Sequence, residues 1–275
     1  MNQLTREFRV KQRDRWTCKR CGKRFEDLVI CQYVYPSDND DHFITFCKDC
    51  LDWASEHGDE AKKLCTKLLR RTKVVFIGDC HGNFEKLDAV LTEESPFDLF
   101  ISVGDVGTLH DVTPNNIQII DKWGERGHFI FGNHDNCWFF NQLELTQEIC
   151  GLKVASLNGM LKSRTFLKEQ QNNVSFREVL YLSHLKDIDI LVTHQPPTGL
   201  YKNAGEPVLE ELLNYLVPKI YVSGHMHSYK LKFHLQTFVI SLPMVHKGHV
   251  VAYFQGRDLR NIEIVLKKGK KVIRI

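Results

Sequence analysis

The sequence predicts an α/β fold with a small cysteine-bearing module ahead of it, on three observations. After residue 72, short apolar runs rich in β-branched residues recur: Val74-Val75-Phe76-Ile77, Leu99-Phe100-Ile101-Ser102-Val103, Phe129-Ile130-Phe131 and Ile190-Leu191-Val192. Such runs read as strands covered on both faces. Helical segments at about 83–93, 113–125, 175–185 and 207–216 alternate with them. Before residue 72 the alternation is missing, and four of the chain's nine cysteines stand there in two Cys-x-x-Cys pairs. The expected division is a module over 1–72 and an α/β domain over 73–275.

From residue 229 onward the pattern turns to strands alone, at about 230–233, 237–242, 249–254 and 261–266. Lys267-Lys268-Gly269-Lys270-Lys271 then reads as a basic turn leading into Val272-Ile273-Arg274-Ile275. A chain of 275 residues has room for one large core, or one core and a small module. Its formal net charge of +3 is too small to indicate a partner. No apolar run approaches a membrane span, and Met1-Asn2-Gln3-Leu4-Thr5-Arg6 leads into no apolar signal core. An odd cysteine count with Cys-x-x-Cys spacing favours a reducing compartment and zinc over a disulfide framework. The expectation is a cytoplasmic chain with no membrane partner; oligomeric state is not legible.

The chemistry gathers in five polar islands: Gly78-Asp79-Cys80-His81-Gly82, Gly104-Asp105, Gly132-Asn133-His134-Asp135, Thr193-His194 and Gly224-His225-Met226-His227. Most of them follow an apolar run, so they fall at strand ends, where open α/β sheets place ligands. Two Asp, one Asn and four His collected there would form a divalent-metal site. Gly78, Gly104, Gly132 and Gly224 each precede a candidate ligand, where the chain turns off its strand in crowded or positive-φ geometry.

This order and spelling resembles the calcineurin-like metallophosphoesterase superfamily over about residues 73–255. The resemblance implies a four-layer α/β/β/α sandwich, two sheets face to face with helices outside, and two divalent ions in the active site. By resemblance, one ion takes Asp79, His81, Asp105 and His227. The other takes Asp105, Asn133, His194 and His225, with Asp105 bridging. Mixed oxygen and imidazole donors suit manganese, iron or zinc rather than magnesium alone. Such a pair clamps phosphoryl oxygens and acidifies a bridging water into hydroxide. His134, directly after Asn133, has the implied catalytic role of assisting the leaving group.

One departure matters. Many relatives, above all the Ser/Thr protein phosphatases, carry an Asp three residues after the bridging Asp, followed by Arg. Here Thr108 stands in that place and the Arg is missing, which argues against protein phosphatase activity. The orienter of His134 stays open between Asp135 and His110. The stretch Thr193-His194-Gln195-Pro196-Pro197-Thr198-Gly199 resembles relatives in which Pro-Pro follows the metal His, and the two prolines stiffen that loop. Residues 161–174 have no strong pattern and lie where relatives shape the substrate cleft. Trp138, Phe139 and Phe140 read as lid or core, with base stacking as the alternative. His42, His57, His110, His128, His184, His234, His246 and His249 read as ordinary surface or core histidines.

In the module, Cys18-Lys19-Arg20-Cys21 and Cys47-Lys48-Asp49-Cys50 are separated by 25 residues. Four thiolates at this spacing suit one tetrahedral structural zinc, a staple that a unit of this size needs. The alternative is four reduced cysteines packed as small apolar groups. The stretch resembles the treble-clef scaffold of HNH endonucleases, with a helix expected over about 51–69. Nuclease chemistry does not carry over: Cys31-Gln32-Tyr33-Val34-Tyr35-Pro36 holds no His, and Leu51 replaces the late motif His. Arg6, Arg9, Lys11, Arg13, Arg15, Lys19, Arg20, Lys23 and Arg24 face only Glu7 and Asp14 in residues 1–24, a local charge of +7. That strip could neutralise several phosphates, or lie as a solvated face, or meet Asp38, Asp40 and Asp41.

Three readings follow. The favoured one is a metal-dependent phosphodiesterase on a nucleic acid or nucleotide, with the zinc module docking substrate or partner. The alternatives are a phosphomonoesterase of a small molecule or protein, and a non-catalytic zinc adaptor.

Overall fold

The computed structural model describes residues 3–14, 16–24, 28–32, 43–161 and 174–275. Arg15, residues 33–36 of the HNH-like stretch, Asp38, Asp40, Asp41, His42 and residues 162–173 lie outside the described residues. The chain divides into two compact units, Met1–Arg71 and Thr72–Ile275.

The first unit runs α1 (Gln3–Arg13), β1 (Val29–Gln32), β2 (Phe43–Phe46), α2 (Lys48–Glu56) and α3 (Gly58–Leu69). β1 and β2 pair antiparallel. Buried Asp14, at the end of α1, accepts from Thr45 N at 2.9 Å and Arg13 Nε at 2.8 Å, tying helix to hairpin. The single helix expected over 51–69 is two helices. His57 leaves helical geometry (φ −122°, ψ 51°), its ring stacks on Trp53, and Gly58 opens α3 with Asp59 and Glu60 in the first turn. Glycine is a poor helix interior and carboxylates suit a helix start, so the break falls there.

The second unit begins with β3 (Arg71–Ile77), α4 (Phe84–Glu94), β4 (Leu99–Ser102), α5 (Pro114–Trp123), β5 (Gly127–Phe129) and β6 (Asn141–Gln142). It continues with β7 (Thr146–Ile149), β8 (Leu152–Leu157), α6 (Phe176–Ser183), β9 (Ile190–Thr193), α7 (Pro207–Leu216) and β10 (Ile220–Ser223). It ends with β11 (Lys230–His234), β12 (Thr237–Ser241), β13 (Gly248–Gln255), β14 (Asp258–Leu266) and β15 (Gly269–Arg274). The expected basic turn is shorter than its five residues, because Gly269, Lys270 and Lys271 already pair with β14. The helix expected over 113–125 stops at Trp123 and tightens into a 3-10 turn over Gly124–Arg126.

Two sheets form, in the orders β15-β14-β13-β3-β4-β5-β6 and β11-β12-β10-β9-β8-β7. β3 to β6 run parallel, as do β8, β9, β10 and β12. Strand alternation explains the layers. Val74 and Phe76 point inward to meet Val192, Val222 and Ile240 from the facing sheet. Val75 and Ile77 point outward to Leu87 and Leu91 of α4 and Trp123 of α5. On the other side Leu191 and Tyr221 pack on Leu182 of α6 and Leu213 of α7. The result is the four-layer α/β/β/α order. Among the described residues, no helix is long and apolar enough to cross a membrane.

Candidate active site

Parallel strands bring their C-terminal ends to one edge, and each polar island follows such an end: Gly78 after β3, Gly104 after β4, Gly132 after β5, His194 after β9, Gly224 after β10. The loops are then stitched together through backbone. Asp105 O accepts from Cys80 N at 2.9 Å and His81 N at 2.8 Å, and Gly224 N donates to His194 O at 2.9 Å. Gly104 adopts φ +99°, and a Cβ there would sit 2.7 Å from His194 Nδ1. At Gly224 a Cβ would collide with Asp79 Oδ1, so the chain turns where only hydrogen fits. His81, Asp105, His225 and His227 themselves have φ between 47° and 66°. Left-handed backbone at four non-glycine residues is strain of the kind held at functional sites.

All seven candidate ligands converge. His227 Nε2 lies 2.9 Å from Asp79 Oδ2 and 3.1 Å from His81 Nε2. His194 Nε2 lies 3.1 Å from Asn133 Oδ1, and His225 Nδ1 lies 3.2 Å from the same oxygen. Asp105 stands between the two groups. Its Oδ1 accepts from His134 N at 2.8 Å, while Oδ2 lies 3.8 Å from His81 Nε2 and 3.4 Å from His194 Nε2. Ligand atoms of Asp79, His81, Asp105 and His227 all fall within 4.8 Å of one another.

The electrostatics ask for a cation. His194 Nδ1 donates to Val103 O at 2.8 Å, which fixes the ring with Nε2 aimed at Asn133 Oδ1 and Asp105 Oδ2. Burial opposes charge on His194, yet the hydrogen bond and charge of Asp105 hold its pKa above the ordinary value. Burial pushes Asp79 up to about 7, against the pull of His194 and with the repulsion of Asp105. For Asp105, burial is outweighed by His194, first as hydrogen-bond donor and then as charge, and its pKa lies below the usual range. His225 and His227 are lowered, by burial first and then by His194 and His81 respectively. Two buried carboxylates facing converging imidazoles fit divalent ions, whose charge would take the place of protons there.

His134 is exposed at the rim, its ring edge-on to His81 at 5.4 Å. Asp135, one of its two candidate orienters, is buried and holds backbone: it accepts from Asp105 N at 2.7 Å, Gly107 N at 3.0 Å and Gly132 N at 2.7 Å. It clamps two islands together, a task the sequence reading missed although Asp closes the Gly-Asn-His-Asp run. Thr108 turns to Asp111 instead, donating from N at 2.7 Å and from Oγ1 at 3.0 Å. Of the aromatic triplet, Phe139 and Phe140 are core, while Trp138 is 64% exposed.

In the first unit, Cys18, Cys21, Cys47 and Cys50 bring their sulfurs within 4.8 Å of one another. Cys21 and Cys47 are 4.0 Å apart, near the ~3.8 Å edge of a tetrahedron with Zn–S bonds of about 2.3 Å. Arg20 approaches Cys50 Sγ at 3.6 Å and lies over Trp53 at 3.8 Å. Part of the basic strip is engaged internally: Arg13 on Asp14 and Phe43 O, Lys11 on Glu7, Arg6 over Phe43.

A family model described as calcineurin-like phosphoesterase matches residues 72–229, more than half of the chain. The lariat debranching enzyme of Schizosaccharomyces pombe is 22% identical over 218 residues, covering 55% of this chain. The match takes in 47% of that curated relative, about half its length. Among solved structures, the protein TT1561 of Thermus thermophilus aligns with TM-score 0.55 and 13% identity, over 74% of this chain and 99% of that one. A dimetal phosphatase from Danio rerio aligns with TM-score 0.53 and 10% identity, over 74% and 98%. At these identities the structural likeness concerns the fold.

Proposed function

This chain belongs to the calcineurin-like phosphoesterase family, and from that premise we propose that it hydrolyses phosphodiester bonds of a nucleic acid or nucleotide at a dimetal centre. The family uses such a centre. The observation that carries the reading is Asp105, whose Oδ2 alone faces both ligand groups while Oδ1 is occupied by backbone. We assign Asp79, His81, Asp105 and His227 to one ion, and Asp105, Asn133, His194 and His225 to the other. Manganese, iron or zinc suits these donors. Bound there, the pair supplies charge against the phosphoryl oxygens and a water of lowered pKa. The chain does the rest: the strained loops fix the donors, and His134 at the rim gives a proton to the departing oxygen.

The similarity to a lariat debranching enzyme, a phosphodiesterase, supports the diester reading over the monoester one. The four-cysteine cluster supports one structural zinc in an HNH-like treble clef, with the hairpin followed by a helix whose first turn carries Cys50. We assign that module to docking of substrate or partner, without nuclease chemistry of its own. Cys-x-x-Cys spacing suited to zinc supports a reducing, cytoplasmic setting.

The test is turnover of bis-p-nitrophenyl phosphate beside p-nitrophenyl phosphate with Mn²⁺, on wild type and Asp105→Asn. Diester preference that the substitution abolishes is the expected outcome. Monoester preference moves the assignment to a phosphomonoesterase. No turnover by metal-loaded protein moves it to a non-catalytic adaptor.

A further inference from the structure

A second feature is a basic pocket of ≈ 190 Å³ that runs along α4 from the side of the candidate centre. α4 lines it with Lys86 and Glu93, the loop after β12 with Val245, His246 and Lys247, and the turn after β14 with Lys267. Two of these walls are built onto the metal-site loops. Val245 N donates to Asp79 O at 3.1 Å. α4 starts three residues after His81, and Asn83 caps it by accepting from Lys86 N at 3.2 Å. Lys267 N donates to Lys247 O at 3.2 Å, fixing the other two lysine-bearing segments to each other.

The charges here are unbalanced. None of the three ammonium groups has an ion-pair or hydrogen-bond partner among the described residues. Glu93, the lone carboxylate of the lining, is exposed. Burial, then Lys247, Lys267 and Lys86, hold the His246 imidazole below its ordinary pKa, as expected of a ring on which three ammonium groups converge. Convergent ammonium groups are compact point charges that suit phosphate. At ≈ 190 Å³ the pocket is smaller than the roughly 300–1,000 Å³ that encloses a whole small ligand, so it fits one anionic group of a larger one.

We infer that this pocket holds a substrate phosphate other than the one being cleaved, so that the natural substrate carries at least two phosphates. The inference rests on the hydrolytic reading of the candidate centre. A neighbouring phosphate of a nucleic-acid strand and the terminal phosphate of a nucleotide offer the same chemistry.

The experiment compares KM, with Mn²⁺, for a thymidine dinucleotide, its 5′-phosphorylated form, and the unphosphorylated trinucleotide. In wild type the added phosphate is expected to lower KM by about tenfold. The Lys247→Ala/Lys267→Ala double variant is expected to shrink that ratio to about twofold, and Glu93→Gln to widen it. A gain from the trinucleotide's internal phosphate identifies a strand; a gain from the 5′-phosphate alone identifies a nucleotide terminus. Equal ratios in wild type and double variant overturn the pocket. Calorimetric binding of the 5′-phosphorylated trinucleotide without metal reads the pocket apart from turnover. A loss of about fivefold or more in the double variant supports it, and no loss overturns it. If wild type cleaves no ester while the calorimetric loss persists, the hydrolytic reading fails and the phosphate pocket stands.

Discussion

The two units stand in opposite relations to their candidate metal sites. In Thr72–Ile275, three apolar clusters lie between and outside the sheets, and the strained loops are carried on their edges. There the fold holds the site. In Met1–Arg71 the apolar cluster comprises Cys18, Leu28, Ile44, Phe46, Cys47, Cys50, Cys65 and Leu69, so half of its buried members are cysteines. On the proposed zinc reading the site there holds the fold, since the few apolar side chains among the described residues do not offset the conformational entropy of ordering the unit. Backbone strain at His81, Asp105, His225 and His227 is tolerated only where the surrounding core leaves stability to spare.

The widest split between the units is expected from Cys47→Ser. Zinc binding in small Cys-rich modules is folding free energy, on the order of 10 kcal/mol. The substitution is expected to release zinc and unfold residues 1–71, read as loss of amide-exchange protection, while a generic diester still turns over. Loss of that turnover with the second unit still folded would place the module in the active site. The opposite experiment is Asp105→Asn, which removes the anion shared by both ligand groups. Turnover is expected to fall by at least about 10³-fold, with the melting temperature of the second unit little changed. Next in size is His134→Ala, expected to cost about 10²-fold on an alkyl-leaving diester and far less on a p-nitrophenyl ester, whose leaving group needs no proton. Equal losses on both would remove His134 from proton transfer and leave it a positioning role.

How much of this was legible depended on the length scale over which it is specified. The islands after β3, β4 and β9 could be read because each lies within a few residues of its strand, and the parallel arrangement does the gathering. β7, with its polar Thr146–Ile149, carried too polar a pattern to be assigned, and β10, Ile220–Ser223, was passed over although it is as long and apolar as β9. The break at His57 depends on a ring stacking four residues back. Asp135 could be named but not understood, since its three amide partners lie on two islands 28 residues or so apart. The basic pocket was hidden entirely, because Lys86, Lys247 and Lys267 meet only through the fold, and His246 gave no sign of being other than an ordinary histidine.

Acid provides the mildest separation of the two units, through a buried group remote from both metal sites in role. Glu94 at the end of α4 accepts from His249 Nε2 at 2.9 Å and pairs with Lys73 Nζ at 2.9 Å. The His249 hydrogen bond first, then Lys73 working against burial, bring its pKa down from 4.5 to about 2. A depressed carboxylate pKa stabilises the fold fully above the unfolded value of about 4.5, and that contribution fades as pH falls and is gone once pH drops through about 2. Discounted for the partial solvation of Lys73, it amounts to about 2 kcal/mol at neutral pH. Glu94→Gln is therefore expected to lower the melting temperature of the second unit at pH 7 and to approach wild type near pH 2.5. With zinc held by the four cysteines as proposed, the first unit would have its own acid limit, set by protonation of thiolates and release of the ion, which leaves Glu94 untouched. Melting curves in which both units fail together across this range, in wild type and variant alike, would mean that the units share stability instead of drawing on separate sources.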